Sequence, residues 1–216
     1  MVQKDYIVRI IEQAASFLFS IAFNKKINNF DIALEKIEEA YNGLLNTDGN
    51  KIKFLTSNEI IDNNTFNGII NIENIGIIAN LIFEEADILE KINGLNIISR
   101  DYYEKSFLLF YKIYQEKNFT KYNEKIIELL EKLNNYEIDN ETKYNMFKYY
   151  EQTELYGKAE DYLYELIGKN YQNILEEGKT FYLTLLGKDD ALLEKGNLPR
   201  NEIIEGMNNI KQKYGA

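Results

Sequence analysis

The sequence predicts an all-α protein, and three observations carry that prediction. A single proline, Pro199, leaves long uninterrupted stretches. Within them apolar residues recur at spacings of three and four rather than two. With 216 residues and a hydrophobic content of 45%, the chain has enough apolar side chain for a continuous core.

The first helix is expected from about Lys4 to Asn24, with Tyr6, Ile7, Ile10, Ile11, Ala14, Phe17, Leu18 and Ile21 forming a wide apolar face. The second runs from about Phe30 to Leu45, with Ile32, Ala33, Ile37, Ala40, Tyr41 and Leu44 inward. Between Asn46 and Asn71 the pattern weakens. "NTDGN" is turn chemistry, and "TSNEIIDNNTFNG" supports only a short helix begun by Thr56 or Ser57. The isoleucines that follow are good strand formers, so a strand near Gly68 to Ile72 competes with helix there. Regular helices are then expected near Ile72 to Ile92, Asp101 to Lys117, Thr120 to Asn134, Glu141 to Glu154, Lys158 to Gly168 and Tyr171 to Leu186. Short helices at Asp189 to Lys195 and Asn201 to Lys213 close the chain, Pro199 marking the last start. The expected organisation is one all-helical domain over residues 1–216: an N-terminal pair in 1–46, a loop-rich segment in 47–71 and a helical array in 72–216.

Composition narrows the chemistry. A net charge of −10 argues against nucleic acid, which needs a surplus of Lys and Arg on one face; the longest positive cluster is Asn24-Lys25-Lys26. Cysteine is absent, which removes disulfides, thiolate catalysis and Cys-ligated metals, and histidine is absent too, which removes Ser-His-Asp and Cys-His dyads and most zinc or di-iron sites. No cofactor is expected. "AASFLFSIAF" (Ala14 to Phe23) lacks a cleavage pattern and is far shorter than the roughly 20 residues needed to cross a bilayer. A cytoplasmic protein without a membrane role is the expectation.

Glu160 and Asp161 are adjacent, and adjacent helical residues diverge by roughly 100°, so they read as a solvated face rather than a catalytic pair. Glu84, Glu85 and Asp87 offer acidic ligands, yet no Glu-x-x-His motif accompanies them, and they read as exposed helix surface. Asp5, Arg9, Glu12 and Gln13 read as the wet stripe of the first helix, or as the rim of a docking surface. Gly178, Lys179 and Thr180 mimic the end of a phosphate-binding loop, but the upstream glycine and the preceding strand are missing.

Two segments 36 residues apart share a pattern: "KNFTKYNEKIIELLEKL" places Asn123, Ile127 and Leu130 where "LYGKAEDYLYELIGK" places Ala159, Leu163 and Leu166. An aromatic-rich helix precedes each, "FLLFYKIY" and "YNMFKYY". This resembles the tetratricopeptide (TPR) repeat, a helix pair of about 34 residues. Asn123 stands where that repeat has a small residue, and no Trp, Leu-Gly pair or terminating Pro appears. The opening "MVQKDYIVRIIEQ" is similar to that of an uncharacterised bacterial family of TPR-like helical proteins. The resemblance implies stacked antiparallel helical hairpins, a TPR-like α-α superhelix. It also implies a groove toward which Lys105, Leu108, Lys112, Tyr144, Lys148 and Gln152 would turn, suited to a carboxylate-bearing peptide.

The function expected on this basis is a non-enzymatic protein- or peptide-binding scaffold. The alternative is a small-molecule-binding or enzymatic helical domain with a tyrosine- and carboxylate-lined pocket. A homodimer held through the first helix is a third reading, because that helix is apolar enough to serve both a core and a partner.

Overall fold

The computed structural model describes residues 2–117 and 120–214. Apart from one short hairpin, the described residues are helical wherever they are regular. The chain divides into two compact units, Met1–Ile138 and Asp139–Ala216. The array expected over 72–216 therefore runs through a division at Ile138.

The first unit contains α1 (Val2–Lys26), α2 (Phe30–Leu45), α3 (Gly49–Phe54), α4 (Ser57–Asn63), a hairpin of β1 (Thr65–Phe66) and β2 (Ile69–Ile70), α5 (Ile72–Asn93), α6 (Ile97–Lys117) and α7 (Asn123–Leu133). Local chemistry sets most of these limits. α2 ends on Asn46 in the left-handed region at φ 50°. The Asp48 carboxylate accepts from the Asn50 amide to start α3, and Thr56 and Glu59 form a reciprocal capping box on α4. Asn67 and Gly68 both adopt positive φ, 50° and 76°, as the tight hairpin turn requires. Asn71 caps α5 through the Asn74 amide, and α5 stops at Gly94. The segment expected to be loop-rich thus holds two short helices and a hairpin, and the competing strand is the two-residue ladder at Ile69–Ile70.

α5 is the centre of this unit. It is buried almost all round from Ile72 to Ile88, packing against α6 most extensively and also against α2 and α1. A helix apolar on every side belongs inside. Phe83, Tyr103, Phe107, Phe110 and Tyr111 complete the core, each burial contributing about 1.5–3 kcal/mol. The buried Ser106 hydroxyl donates to the Ala79 carbonyl at 2.8 Å, joining α6 to α5. Gly76 gives Tyr122 its place: a Cβ there would sit 2.4 Å from the phenol oxygen. On α1, Ala14 and Ile21 face inward as expected, whereas Ile11 is 42% exposed; on α2, Ile32 also faces out.

The second unit contains α8 (Asn140–Gln152), α9 (Tyr156–Gly168), α10 (Ile174–Leu186), α11 (Asp190–Lys195) and α12 (Arg200–Tyr214). Asp139 caps α8 and Asp189 caps α11. α10 begins at Ile174 rather than Tyr171, because Asn170 and Gln172 take positive φ and interrupt the helical path. Phe147 and Phe181 meet edge to face at 5.5 Å, and Tyr156, Leu163, Leu166, Tyr182 and Ile203 are buried around them. The phosphate-loop mimic at Gly178 is the buried middle of α10, where a Cβ would come within 2.8 Å of Ile210 on α12. The expectation that Glu160 is solvated is corrected: it is half-buried and accepts from the Tyr182 hydroxyl at 2.6 Å, while Asp161 is exposed.

Candidate functional site

The largest departure from the sequence reading lies on α5. Glu84, Glu85 and Asp87 are not exposed surface; Glu85 and Asp87 are buried and Glu84 is half-buried. A buried carboxylate needs compensation, and lysines from distant segments supply it. Lys25, near the end of α1, bonds Glu84 and reaches Asp87 at 2.9 Å. Lys132 of α7 lies 2.8 Å from Asp87 and also bonds Glu90. Tyr103 and Tyr136 donate to Glu90 at 2.8 and 3.1 Å. Lys125 covers the Phe83 ring at 3.7 Å. On another side of α5, Lys53 joins Glu85, at 2.9 Å, to Glu38.

The electrostatics follow from these contacts. Burial opposes the charge on Asp87, but Lys132 and Lys25 outweigh it and hold the carboxyl down at about 2. Glu90 is lowered in the same way, with burial overcome by Lys132 and Tyr103. Lys25, Lys53 and Lys132 are all raised, their carboxylate partners outweighing burial. Glu85 differs: burial pushes it up despite Lys53, and its Oε2 has no hydrogen-bond partner. Asp87 and Glu90 are therefore ionised at neutral pH and saturated by lysine and tyrosine donors. Such groups fasten α1 and α7 to α5; they are poorly suited to shuttling a proton. Among the described residues no group of three acidic, His or Cys side chains is arranged to hold a metal ion.

A more open feature lies where α2, α3, α4, the hairpin and α5 converge. Two adjoining hollows of about 630 and 570 Å3 share Leu45 and Asn74. The first has Ile52, Phe54 and Ile78 on its walls, with the carboxamides of Asn63 and Asn64. The second is bounded by Ile10, Phe66 and Ile69. Phe66 and Ile69 pair across the hairpin, so their side chains share one face. They and Phe54 are 79%, 75% and 89% exposed, which is unusual for large apolar groups beside a cavity. Asn74 is half-buried between the hollows, and its carboxamide has no hydrogen-bonding partner among the described residues. Among the described lining residues charge is sparse, Lys51 in one hollow and Glu73 in the other, and none is a tyrosine.

The six residues expected to line a TPR-like groove fall in both units, three on α6 and three on α8. On α6, Lys105 donates to the Lys53 carbonyl at 2.6 Å, Leu108 is half-buried, and Lys112 pairs with Glu116 at 3.0 Å. On α8, Tyr144 packs against Phe147 and Tyr171, Lys148 pairs with Glu151 and lies 3.5 Å from Glu177, and Gln152 is exposed. Each of the three lysines thus has an intramolecular partner. Of the polar group on α1, Arg9, Glu12 and Gln13 are exposed, and the side chain of Asp5 lies outside the described residues. The hollows escaped the sequence reading, although "NTDGN" and "DNNTFNG" marked the backbone irregularity that creates them.

An all-helical protein with lysine-neutralised carboxylates inside and a neutral, half-open apolar trough outside is the class these features define. No helix among the described residues is long and apolar enough to cross a membrane. The chain belongs to a family of unknown function (DUF6483), whose model matches residues 1–215. No curated protein and no solved structure matches it.

Proposed function

We propose that the chain is a non-enzymatic, TPR-like module that binds an extended peptide segment of a partner protein in the paired hollows of its first unit. The observation that carries this reading is Asn74. Its carboxamide offers both a donor and an acceptor, as a peptide group does, and it stands between two apolar hollows with no partner of its own. An extended peptide places apolar side chains at alternate positions with peptide groups between them, which is the chemistry the trough complements. The saturation of Asp87 and Glu90, and the lack of a tyrosine among the described residues lining the hollows, weigh against the tyrosine- and carboxylate-lined pocket. The TPR-like part of the reading is supported by the α8–α9 hairpin, in which Ala159 and Leu163 are fully buried at the positions the repeat assigns.

The test is selection of a phage-displayed library of random short peptides against the whole chain. Selected peptides are expected to carry alternating apolar residues and to lose affinity about tenfold on Asn74→Ala, the equivalent of one or two hydrogen bonds. Thermal unfolding of that variant should match the parent. Peptides that respond instead to Lys112→Glu or Lys148→Glu would move the site to the α6 or α8 face. A selection that returns no binder sensitive to Asn74 would overturn the proposal.

A further inference from the structure

The outer face of α1 is apolar without a covering element among the described residues. Val8, Ile11, Phe19 and Phe23 are 47%, 42%, 76% and 54% exposed, and Ile27, just past the helix, is 55% exposed. At roughly 100° per residue, Val8, Ala15, Phe19, Ala22 and Phe23 fall within one strip centred on Phe19, with Ile11 and Ile27 at its edges. Glu12, Ser16 and Lys26 lie on the same strip and are exposed. We propose that this strip is a homodimer interface, in which α1 packs antiparallel on α1 of a second copy about a two-fold axis at Phe19.

Self-complementarity supports a second copy as the occupant. Antiparallel pairing about Phe19 sets Phe19 on its own copy and Ala15 level with Phe23 near the midline, so the large side chains there meet apolar or small ones. It also sets Glu12 opposite Lys26, twice by symmetry. Parallel pairing would set Glu12 on Glu12 and Lys26 on Lys26, opposing like charges. A closed two-fold contact of this kind is the commonest form of protein oligomer. The helix has 25 residues and so runs about 37 Å. Large apolar groups along that length, with the flanking polar side chains, present several hundred Å2 per copy, near the ~800 Å2 per partner of a standard interface. An apolar strip this long on a protein of net charge −10 is otherwise a liability in water, and that charge disfavours an anionic membrane surface as its cover.

The experiment is sedimentation velocity with light scattering on the whole chain, comparing the parent with Phe19→Glu, Glu12→Lys and the double variant Glu12→Lys with Lys26→Glu. The parent should be a dimer, Phe19→Glu a folded monomer by circular dichroism, and Glu12→Lys a several-fold weaker dimer that the double variant restores. Failure of the double variant to restore association overturns the antiparallel arrangement. A parent that stays monomeric overturns the proposal. Should that monomer bind phosphatidylcholine–phosphatidylglycerol vesicles in a way that Phe19→Glu abolishes, the strip is a membrane-surface contact instead.

Discussion

Asp87→Asn tests the reading of the α5 carboxylates as a structural clamp. The carboxyl is held at about 2 against an ordinary value of 3.8, and its side chain is 9% exposed, so little solvent screening dilutes the effect. A displacement of that size corresponds to about 2 kcal/mol of stability at neutral pH. The amide also leaves Lys25 and Lys132 with one charged partner fewer each, and breaking a buried pair in this way costs about 3–5 kcal/mol when nothing else compensates. Because Glu84 and Glu90 do compensate in part, the expected loss is about 2–3 kcal/mol. The sign follows from the lowered folded-state value. The stabilisation is present above the unfolded carboxyl's pKa near 4 and disappears as pH falls toward 2. The assay is urea unfolding followed by hydrogen exchange in a peptide covering residues 72–93, which reads the first unit by itself, at pH 7 and again near pH 3. Parent and variant should differ by about 2–3 kcal/mol at pH 7 and by about half as much at pH 3, where the unfolded carboxyl is already largely protonated and the folded one is not. A difference below about 0.5 kcal/mol, the usual surface effect, or one indifferent to pH, refutes the argument.

Three further substitutions probe other elements. Tyr182→Phe removes the donor from half-buried Glu160 and should cost the second unit about 1–2 kcal/mol in thermal unfolding, whereas a neutral result would mean that water replaces the phenol freely. Gly76→Ala forces a Cβ against Tyr122 and should cost about 1–3 kcal/mol by overpacking; combining it with Tyr122→Leu should recover part of the loss, and additive losses would show that the clash is not the cause. Thr56→Ala deletes half of the capping box on α4 and should raise exchange in residues 57–63 by the equivalent of about 1 kcal/mol, leaving the second unit unchanged.

The helices whose limits were legible are those with local signals. α2 was read from Phe30 to Leu45 because Asn46 begins a turn sequence, and α5 was placed within a residue at each end because Gly94 stops it. The start of α6 at Ile97 rather than Asp101 was missed, although Asn96 followed by Ser99 is a capping pattern, and the Asn96 side chain does accept from the Ser99 amide at 3.0 Å. Charge misled more than boundaries did. Periodicity treats every Glu and Asp as wet, but the run "IENIGIIANLIF" is apolar on all sides of its helix. A helix buried all round carries its polar residues inward too. The partners of those residues, Lys25, Lys53 and Lys132, lie on other elements and become neighbours only in the folded chain. The trough was illegible for a related reason: its walls come from α2, α3, the hairpin and α5, and no repeat spacing registers a cavity between irregular pieces.

The lysine clamp also bears on how the chain emerges from the ribosome. Asp87 and Glu90 leave the exit tunnel 45 and 42 residues ahead of Lys132. At ~5–20 residues per second, the nascent chain spends about two to nine seconds with these carboxylates outside the tunnel and one of their two main cations not yet emerged. Lys25, by contrast, is already waiting. The first half of the clamp can close as soon as α5 appears, and the second cannot. During that interval α5 has a powerful reason to keep its acidic side toward water, which disfavours premature collapse around a helix whose final place is the middle of the unit.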